Sequence, residues 1–416
     1  MAVLIGVLAV VAVVVVCLPI AGGQISADAE EGVGPMMPVS AVREGIGLDA
    51  IHRIKANFSL DTLLLAGDVA LYYNGHVSEF HPSSVIRRNG SVAELPVGAD
   101  VGVEIDIGSI RANTSLGEMS LDDFLRHPAS RMQAFLVIHR GAILFEAYPG
   151  MRPEDLHLWM SSTKTVPSLI VGQLVDEGKV DQQEPLSAYI PYLADKANAS
   201  ALADIKVIDA LDMRLGLDVE ETQATQRDPS SGIRRVFAAE FGEPNPEGQV
   251  LPLRDVLLLL EKLHAPGEVV GYTSAATQLL VDLAEAVENR TWAALVQERI
   301  WGKMGAEGDA VVALTPDGLT ALGHGLFASR LRDFGRYGMI YTPSASDKSV
   351  VSAAYLDRIQ TGGRDAVFAD GDIFKGGIFG QGLYVSPGRD LVVVWFATTF
   401  ELGATLFARE VAKALA

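Results

Sequence analysis

Residues 159–178 read W-M-S-S-T-K-T-V-P-S-L-I-V-G-Q-L-V-D-E-G, in which Ser161 and Lys164 stand just before an apolar helical run. Residues three apart share one face of a helix, so this spacing predicts that the lysine amine reaches the serine hydroxyl. A serine becomes a useful nucleophile only when a neighbouring base takes its proton. A lysine shielded from water can be that base, because burial favours the uncharged amine. Backbone N–H groups at the helix start also favour the negative charge of an acyl-transfer intermediate.

A Ser-x-x-Lys pair also arises by chance in a chain of this length, and the alternative is an ordinary helix with a surface lysine. A second segment, Val270-Gly-Tyr-Thr-Ser274, follows a loop and opens a predicted helix. The phenol of Tyr272 can relay a proton there, as a general acid or base must. The alternatives are that Tyr272 is a core aromatic and that Ser274 caps the helix starting at Ala275.

A third segment, Phe374-Lys-Gly-Gly-Ile378, precedes a late strand. Lys375 is predicted to bind a substrate carboxylate or to lower the pKa of the proton relay. Alternatively, it is a charge that protects an edge strand from aggregation. Gly376 and Gly377 let a substrate lie against the strand, because they carry no side chain.

The pattern around these segments predicts an α+β fold. Residues 134–139 and 142–146 read as two strands joined by a tight turn at Arg140-Gly141, and residues 382–386 and 391–396 as two later strands. Between the two pairs, helical periodicity dominates, including Leu251–Leu263, Ala275–Val287 and Trp292–Lys303. We therefore expect an antiparallel sheet flanked by helices, with a large helical insertion. A helix is also predicted over Glu118–Arg126, and a last one over Leu402–Leu415.

The order S-x-x-K, then Y-x-S, then K-x-G resembles that of the serine β-lactamase and penicillin-binding-protein family, in particular its class C branch with the D-alanyl peptidases and carboxylesterases. The resemblance covers roughly residues 120–416. It implies a β-lactamase/transpeptidase-like fold in which Ser161 is acylated, Lys164 is its base and Tyr272 is a second proton carrier. It also implies an oxyanion hole formed by the amides of Ser161 and Ile378.

Departures from this pattern narrow the expected substrate. Ser274 stands where class C β-lactamases have asparagine, and Gly376 replaces the central threonine of K-T-G. The sequence Y-T-S-A is similar to that of nylon-oligomer hydrolases and related esterases. The sequence G-I-F-G-Q resembles their G-I-H-G-Q, with Phe379 replacing histidine. We therefore expect a small ester or linear amide, bound by Ser274, Lys375, Gly376 and Gly377. The resemblance also suggests His324 as a substrate contact, and the alternative is a loop histidine with internal partners.

Composition excludes several other classes. A net charge of −19 leaves no basic surface for nucleic acid. Cys17 is the only cysteine, so no intrachain disulfide or cysteine zinc cluster can form, and no H-E-x-x-H occurs among the eight histidines. We expect no metal and no cofactor. No G-x-S-x-G elbow supports a Ser-His-Asp hydrolase.

Residues 3–20 are almost continuously apolar and long enough to cross a bilayer. We expect a membrane anchor or signal segment over 1–23, a stalk over 24–50, an N-terminal extension over 51–119 and a hydrolase domain over 120–416. The catalytic domain is then extracytoplasmic, or secreted if the segment is cleaved. The alternative activities are a D-alanyl peptidase or β-lactamase, and a non-catalytic scaffold of the same fold.

Overall fold

The computed structural model describes residues 36–98, 105–194, 201–362, 366–368 and 370–415. The predicted membrane segment at residues 3–20 lies outside these ranges. Within them, none of the helices combines the length and the apolar character that a membrane crossing requires.

Within the described residues, the strands form three antiparallel sheets. They are β1 (Ser83–Ile86), β2 (Arg111–Thr114), β3 (Gly117–Ser120), β4 (Met132–His139), β5 (Ala142–Ala147), β6 (His157–Leu158), β7 (Ala310–Ala313), β8 (Phe327–Ser329), β9 (Ala366–Val367), β10 (Ile373–Gly377), β11 (Gln381–Ser386) and β12 (Leu391–Ala397). The largest sheet has the order β5-β4-β12-β11-β10-β9, a smaller one has β1-β7-β8-β6, and β2 pairs with β3.

The helices lie around these sheets. They are α1 (Ser40–Glu44), α2 (Leu48–Ala56), α3 (Leu60–Leu63), α4 (Asp68–Gly75), α5 (Leu121–Arg126), α6 (Thr165–Asp176), α7 (Pro191–Ala194), α8 (Val207–Leu211), α9 (Gly232–Phe241), α10 (Leu253–Leu258), α11 (Ser274–Glu288), α12 (Trp292–Val296), α13 (Leu331–Met339), α14 (Ala353–Gly362) and α15 (Gly403–Ala414). This mixture of antiparallel sheet and helices confirms the predicted fold class.

The large sheet is buried on both faces. Along β4, Ala134, Leu136 and Ile138 belong to one hydrophobic core, whereas Phe135 and Val137 belong to a second. This follows from the two-residue period of a strand. Helix α13 covers the first face so closely that a Cβ on Gly335 or Gly338 would collide with strand side chains, and α15 covers the second face. The sequences of β4 and β12 are continuously apolar, because strands between two helical layers are buried on both faces.

The hairpin of β4 and β5 turns at Arg140 and Gly141, whose φ values are 51° and 75°. Two consecutive positive φ angles are typical of a two-residue hairpin turn. On its other side β4 pairs with β12, which lies between β4 and β11, with Leu391 opposite His139. The predicted turn at Arg140-Gly141 and the two late strands are therefore confirmed.

Some predicted helices are shorter. Leu251–Leu263 is helical only over α10, because the backbone after it pairs with Gly216 and Leu217. Residues 118–120 of the predicted Glu118–Arg126 helix belong to strand β3, and Trp292–Lys303 continues after α12 as a π-helical turn over Gln297–Trp301.

The N-terminal residues pack against the hydrolase region. Strand β1 pairs with β7, with Val85 opposite Val311. Tyr73 of α4 is buried in the same core as Trp159. The predicted boundary at residue 120 therefore does not divide the packed core. Met37, within the predicted 24–50 stalk, donates its backbone N–H to Asp68 Oδ1 at 2.8 Å.

Candidate active site

Ser161 lies on a tight turn between a strand and a helix. Strand β6 ends at Leu158, a 3₁₀ turn spans Met160–Lys164, and α6 begins at Thr165. The Ser-x-x-Lys motif is therefore on a 3₁₀ turn rather than on the α-helix expected from the sequence. Residues three apart eclipse each other in this geometry, so the predicted side-chain contact is preserved.

The turn rests on a buried aromatic cluster. Trp159 is fully buried, its ring stacks 4.3 Å from that of Phe334, and its indole N–H donates to Ser329 Oγ at 2.9 Å. Met160, directly after it, has a φ of 50°. A positive φ is uncommon for a residue with a side chain and is often found at functional sites. This conformation turns the chain sharply just before Ser161.

The Lys164 amine is the centre of the polar contacts. Its side chain is 4% exposed, and Nζ lies 2.9 Å from Ser161 Oγ, 2.9 Å from Ser274 Oγ and 3.5 Å from the carbonyl oxygen of His324. The carbonyl can only accept a hydrogen bond, whereas each hydroxyl can donate or accept. The lysine can therefore stay hydrogen-bonded on either side of a proton transfer with Ser161.

Two lysines lie over the ring of Tyr272. Lys164 Nζ is 5.2 Å from the ring centroid and Lys375 Nζ is 4.6 Å from it. Both distances are within the range of cation–π attraction. Tyr272 is half-buried. The structure thus brings Ser161, Lys164, Tyr272 and Lys375 together, as the sequence predicted.

Ser274 is the first residue of α11, but it does not cap that helix. The capping side chain is Thr273, whose hydroxyl accepts a hydrogen bond from the Ala275 N–H at 3.2 Å. Ser274 is buried, with its hydroxyl bonded to Lys164. The structure thus shows a contact with the lysine, while the contact of Ser274 with substrate stays a prediction.

Glu221 joins the loop before α9 to this segment. Its carboxylate accepts a hydrogen bond from the Ser274 N–H, and its own N–H donates to the Tyr272 carbonyl at 2.8 Å. The two bonds fix the backbone on both sides of Thr273. Sequence analysis missed Glu221, because no motif links it to a segment about fifty residues later.

The His324 side chain, predicted as a substrate contact, lies among internal partners. His324 is 3% exposed, with Nδ1 at 3.0 Å from Gln278 Oε1 and Nε2 at 3.4 Å from Glu240 Oε1. Both ring nitrogens thus face internal partners. This agrees with the alternative that His324 is a loop histidine with internal partners. Its backbone carbonyl, not its ring, reaches the site by contacting Lys164.

A buried polar chain continues behind His324. The Gln278 side chain donates to Asp282 Oδ1 at 3.2 Å, and the Tyr192 hydroxyl donates to Asp282 Oδ2 at 2.6 Å. Burial raises the pKa of Asp282, and burial next to that carboxyl also raises the pKa of Tyr192. Through Gln278, this chain fixes the imidazole whose backbone carbonyl contacts the lysine.

Strand β10 forms the opposite wall of the site. The Ser162 hydroxyl donates to the Lys375 carbonyl at 2.9 Å, tying the 3₁₀ turn to the strand. A Cβ placed on Gly377 would lie 2.6 Å from the Trp159 carbonyl oxygen and 3.1 Å from the Ser161 nitrogen. The glycine is therefore required for this close approach. At Gly376 the nearest atom would be the end of the Phe374 ring, at 3.2 Å.

Ile378 follows Gly377 in a tight turn between β10 and β11. Phe379 and Gly380 have φ values of 66° and 83°, and the Gly380 N–H donates to the Gly377 carbonyl at 3.1 Å. Phe379, which replaces the histidine of G-I-H-G-Q, is buried and packs edge-on against Phe400. Ile378 thus lies next to the turn that carries Ser161, where the resemblance placed the second oxyanion donor.

Among the described residues, no group of three or more His, Cys, Asp or Glu side chains is arranged to hold a metal ion. The groups around Ser161 are hydroxyls, amines, a phenol and backbone amides. Such a set can activate a serine and stabilise an oxyanion.

Comparison with known proteins agrees with this arrangement. Residues 128–416 match the model of the family described as Beta-lactamase. A 6-aminohexanoate-dimer hydrolase of Paenarthrobacter ureafaciens is 27% identical over 287 residues, covering 63% of this chain and 71% of that protein.

Solved structures show the same fold. A candidate 6-aminohexanoate-dimer hydrolase from Bacillus anthracis has a TM-score of 0.71 at 18% identity, covering 87% of this chain and 97% of that one. A family VIII carboxylesterase has a TM-score of 0.51 at 13% identity, covering 70% and 96%. The family match spans the motif segments and most of the sequence, and the chain therefore belongs to the Beta-lactamase family.

Proposed function

We propose that this protein is a serine hydrolase that cleaves a small ester or a linear amide through an acyl-enzyme on Ser161. The observation that carries the proposal is the 2.9 Å contact between Lys164 Nζ and Ser161 Oγ, with the lysine buried. The names of the relatives support both substrate types, since one is a hydrolase of a 6-aminohexanoate dimer and another is a carboxylesterase.

In the acylation step, Ser161 Oγ attacks the substrate carbonyl while its proton passes to the amine of Lys164. The bond from Oγ to the carbonyl carbon forms, and the carbonyl oxygen becomes an oxyanion held by the N–H groups of Ser161 and Ile378. The bond to the alcohol or amine then breaks. The leaving group takes a proton from the Tyr272 phenol, which regains one from Lys164.

In the deacylation step, water attacks the ester carbonyl of the acyl-enzyme. Its proton passes to the base formed by Lys164 and Tyr272, the bond between Ser161 Oγ and the acyl carbon breaks, and Oγ is reprotonated. The carboxylic acid leaves. We assign Ser274 and the carbonyl of His324 to holding the lysine amine in place through both steps.

A lactamase or D-alanyl peptidase activity is the nearest alternative. The asparagine that class C β-lactamases use is replaced by Ser274, whose hydroxyl is bonded to Lys164. The hydroxyl of the K-T-G threonine is absent at Gly376. A lactam therefore finds fewer polar partners here than in a class C β-lactamase, while Lys375 remains beside the site to bind a carboxylate.

The proposal is tested by incubating the full-length protein with p-nitrophenyl butyrate, short linear amides and a fluorescent penicillin. We expect a burst of p-nitrophenol, followed by steady turnover and an acyl group on Ser161 in the peptide mass map. S161A is expected to lose turnover by about 10⁴-fold or more. An S161A variant with full activity would refute the proposal, and rapid turnover of penicillin alone would favour the alternative.

We also propose that residues 1–23 anchor the protein to a membrane, with the catalytic region on the extracytoplasmic side, or direct its secretion if they are cleaved. The apolar run over residues 3–20 supports this. Fractionation of cells expressing the full chain and the chain from residue 24 onward tests it. Equal recovery of both in the soluble cytoplasmic fraction would contradict it.

A further inference from the structure

Gln381 is a buried side chain at the turn that carries Ile378. It opens β11 and is 2% exposed. Its Oε1 accepts a hydrogen bond from the Ala397 N–H at 3.0 Å, and its Nε2 donates to the Ala397 carbonyl at 2.9 Å. The same Nε2 lies 3.3 Å from the Ile378 carbonyl and 3.4 Å from the Phe379 carbonyl. One carboxamide therefore joins the turn to the end of β12.

The orientation of this carboxamide follows from its partners. The Ala397 N–H can only donate, so the atom facing it must be the oxygen. The other end faces three carbonyl oxygens, which can only accept, so it must be the NH₂ group. An amide is thus the side chain that suits this position, because it presents an acceptor and a donor on opposite sides.

These bonds fix Ile378 from both directions. On its N-terminal side, the Gly377 carbonyl accepts a hydrogen bond from the Gly380 N–H at 3.1 Å, inside the turn. The described chain has no cis peptide bond, so the Ile378 N–H points opposite to that carbonyl, away from the turn. On the C-terminal side, the Ile378 carbonyl is held by Gln381. Neither peptide plane flanking Ile378 can rotate without breaking a bond.

We infer that Gln381 is a positioning residue for the oxyanion hole, holding the Ile378 N–H in the direction of the acyl oxygen. The inference rests on the proposed function, because it assumes that Ser161 is acylated. Its alternative is a purely structural tie between β11 and β12. The two differ in what is lost on substitution: a structural tie affects the amount of folded enzyme, whereas a positioning residue affects how strongly the enzyme stabilises an oxyanion.

The test compares Q381E and Q381M, made in the full chain, with wild type. In Q381E a carboxylate oxygen faces three carbonyls, and in Q381M the donor is removed with little change in length. Q360E is the matched control. Gln360 lies away from the site, and its side chain donates a hydrogen bond of 2.9 Å to the Gly371 carbonyl. Each protein is assayed on a p-nitrophenyl ester and on its thionoester, in which sulfur replaces the carbonyl oxygen and is a poor hydrogen-bond acceptor.

The quantity compared is the ratio of kcat/KM for the ester to kcat/KM for the thionoester. It is measured on one sample, so an unfolded fraction cancels out. We expect kcat/KM for the ester to fall about 10²-fold in Q381E and Q381M and the ratio to fall about 10-fold, because one oxyanion donor is misplaced. Q360E keeps both values.

An unchanged ratio in both Gln381 variants, with activity lowered equally on the two substrates, would overturn the inference and leave a structural tie. The proposed function has its own readout in these experiments, namely acylation of Ser161 in wild type and its loss in S161A. A wild type that hydrolyses the ester without acylation of Ser161 would overturn the proposed function, and the inference with it.

Discussion

The two walls of the Ser161 site are built in different ways. On the helical wall, Lys164, Tyr272 and Ser274 place side-chain groups near the reacting oxygen. Hydrogen bonds hold these segments in position. On the sheet wall, β10 and the turn after it offer backbone, brought close by Gly377. Proton transfer requires titratable side chains, whereas oxyanion stabilisation requires only fixed N–H donors.

This difference determines how a substitution on each wall can affect the reaction. A substitution on the helical wall removes a reacting group directly. A substitution on the sheet wall cannot delete a backbone N–H and acts only by moving it. We therefore expect the largest effects from the two proton-transferring residues of the helical wall, Lys164 and Tyr272, and effects that depend on shape from the sheet wall.

The largest effect is expected from K164M. The buried amine is the base nearest to Ser161, so we expect kcat/KM for a p-nitrophenyl ester to fall by about 10⁴-fold. K375M is the matched control, because both lysines lie over the Tyr272 ring and Lys164 is the one assigned as the base, with its amine bonded to Ser161. We expect it to lower kcat/KM less than about 10-fold on an uncharged ester. Equal losses in the two variants would contradict the assignment of the base.

Y272F separates the phenol hydroxyl from the ring. The ring over which both lysines lie is kept, and only the proton donor is removed. We expect kcat/KM for an alkyl ester to fall by about 10³-fold, because the leaving alcohol needs a proton. A p-nitrophenolate leaving group needs none, so the loss on that ester is expected to be about 10-fold. The same loss on both esters would show that Tyr272 does not protonate the leaving group.

G377A tests the sheet wall. An added Cβ would meet the Trp159 carbonyl oxygen at 2.6 Å and must push β10 away from the serine turn. We expect kcat/KM to fall by about 10²-fold through displacement of the Ile378 N–H. In G376A, the matched control, the added methyl meets only the end of the Phe374 ring at 3.2 Å, and we expect activity within about threefold of wild type. Circular dichroism and thermal unfolding check that both variants fold.

The smallest effect is expected from S274A. It removes one of the hydrogen bonds to the Lys164 amine and leaves Ser161 and the His324 carbonyl in place. A hydrogen bond of about 1 kcal/mol corresponds to a fall of roughly fivefold in kcat/KM.

The variant S274N restores the asparagine that class C β-lactamases have at this position. It tests why the residue here differs from theirs. A gain of activity on a cephalosporin in that variant would show that this residue limits lactam turnover.

The sequence predicted the parts of the site that lie within short motifs. The spacing of Ser161 and Lys164 is local, and the glycines of β10 mark a close approach, so both could be read from the chain. Motif order supplied Tyr272, which no spacing rule connects to Ser161. The strands around the Arg140 turn were predicted because alternation and turn residues are also local signals.

Other features depend on tertiary packing. The imidazole of His324 faces inward, with Gln278 and Glu240 next to its two nitrogens, and neither residue is near it in sequence. The helix predicted after Leu251 stops at Leu258 because later backbone pairs with Gly216 and Leu217. Gln381 was visible in the G-I-F-G-Q text, but its role depends on its contact with Ala397, which is a neighbour only in the folded sheet.

The order of strands in the large sheet has a consequence for biosynthesis. Strand β4 pairs with β12, and Leu391 stands opposite His139, so the partner of an early strand leaves the ribosome only after most of the domain has been made. Until then β4 has an open, strongly apolar edge, which is prone to misassociation. A nascent chain that stops before residue 391 therefore cannot complete the sheet. Such a chain also lacks Ala397, the partner of Gln381. The turn that carries Ile378 can therefore reach its final form only near the end of synthesis.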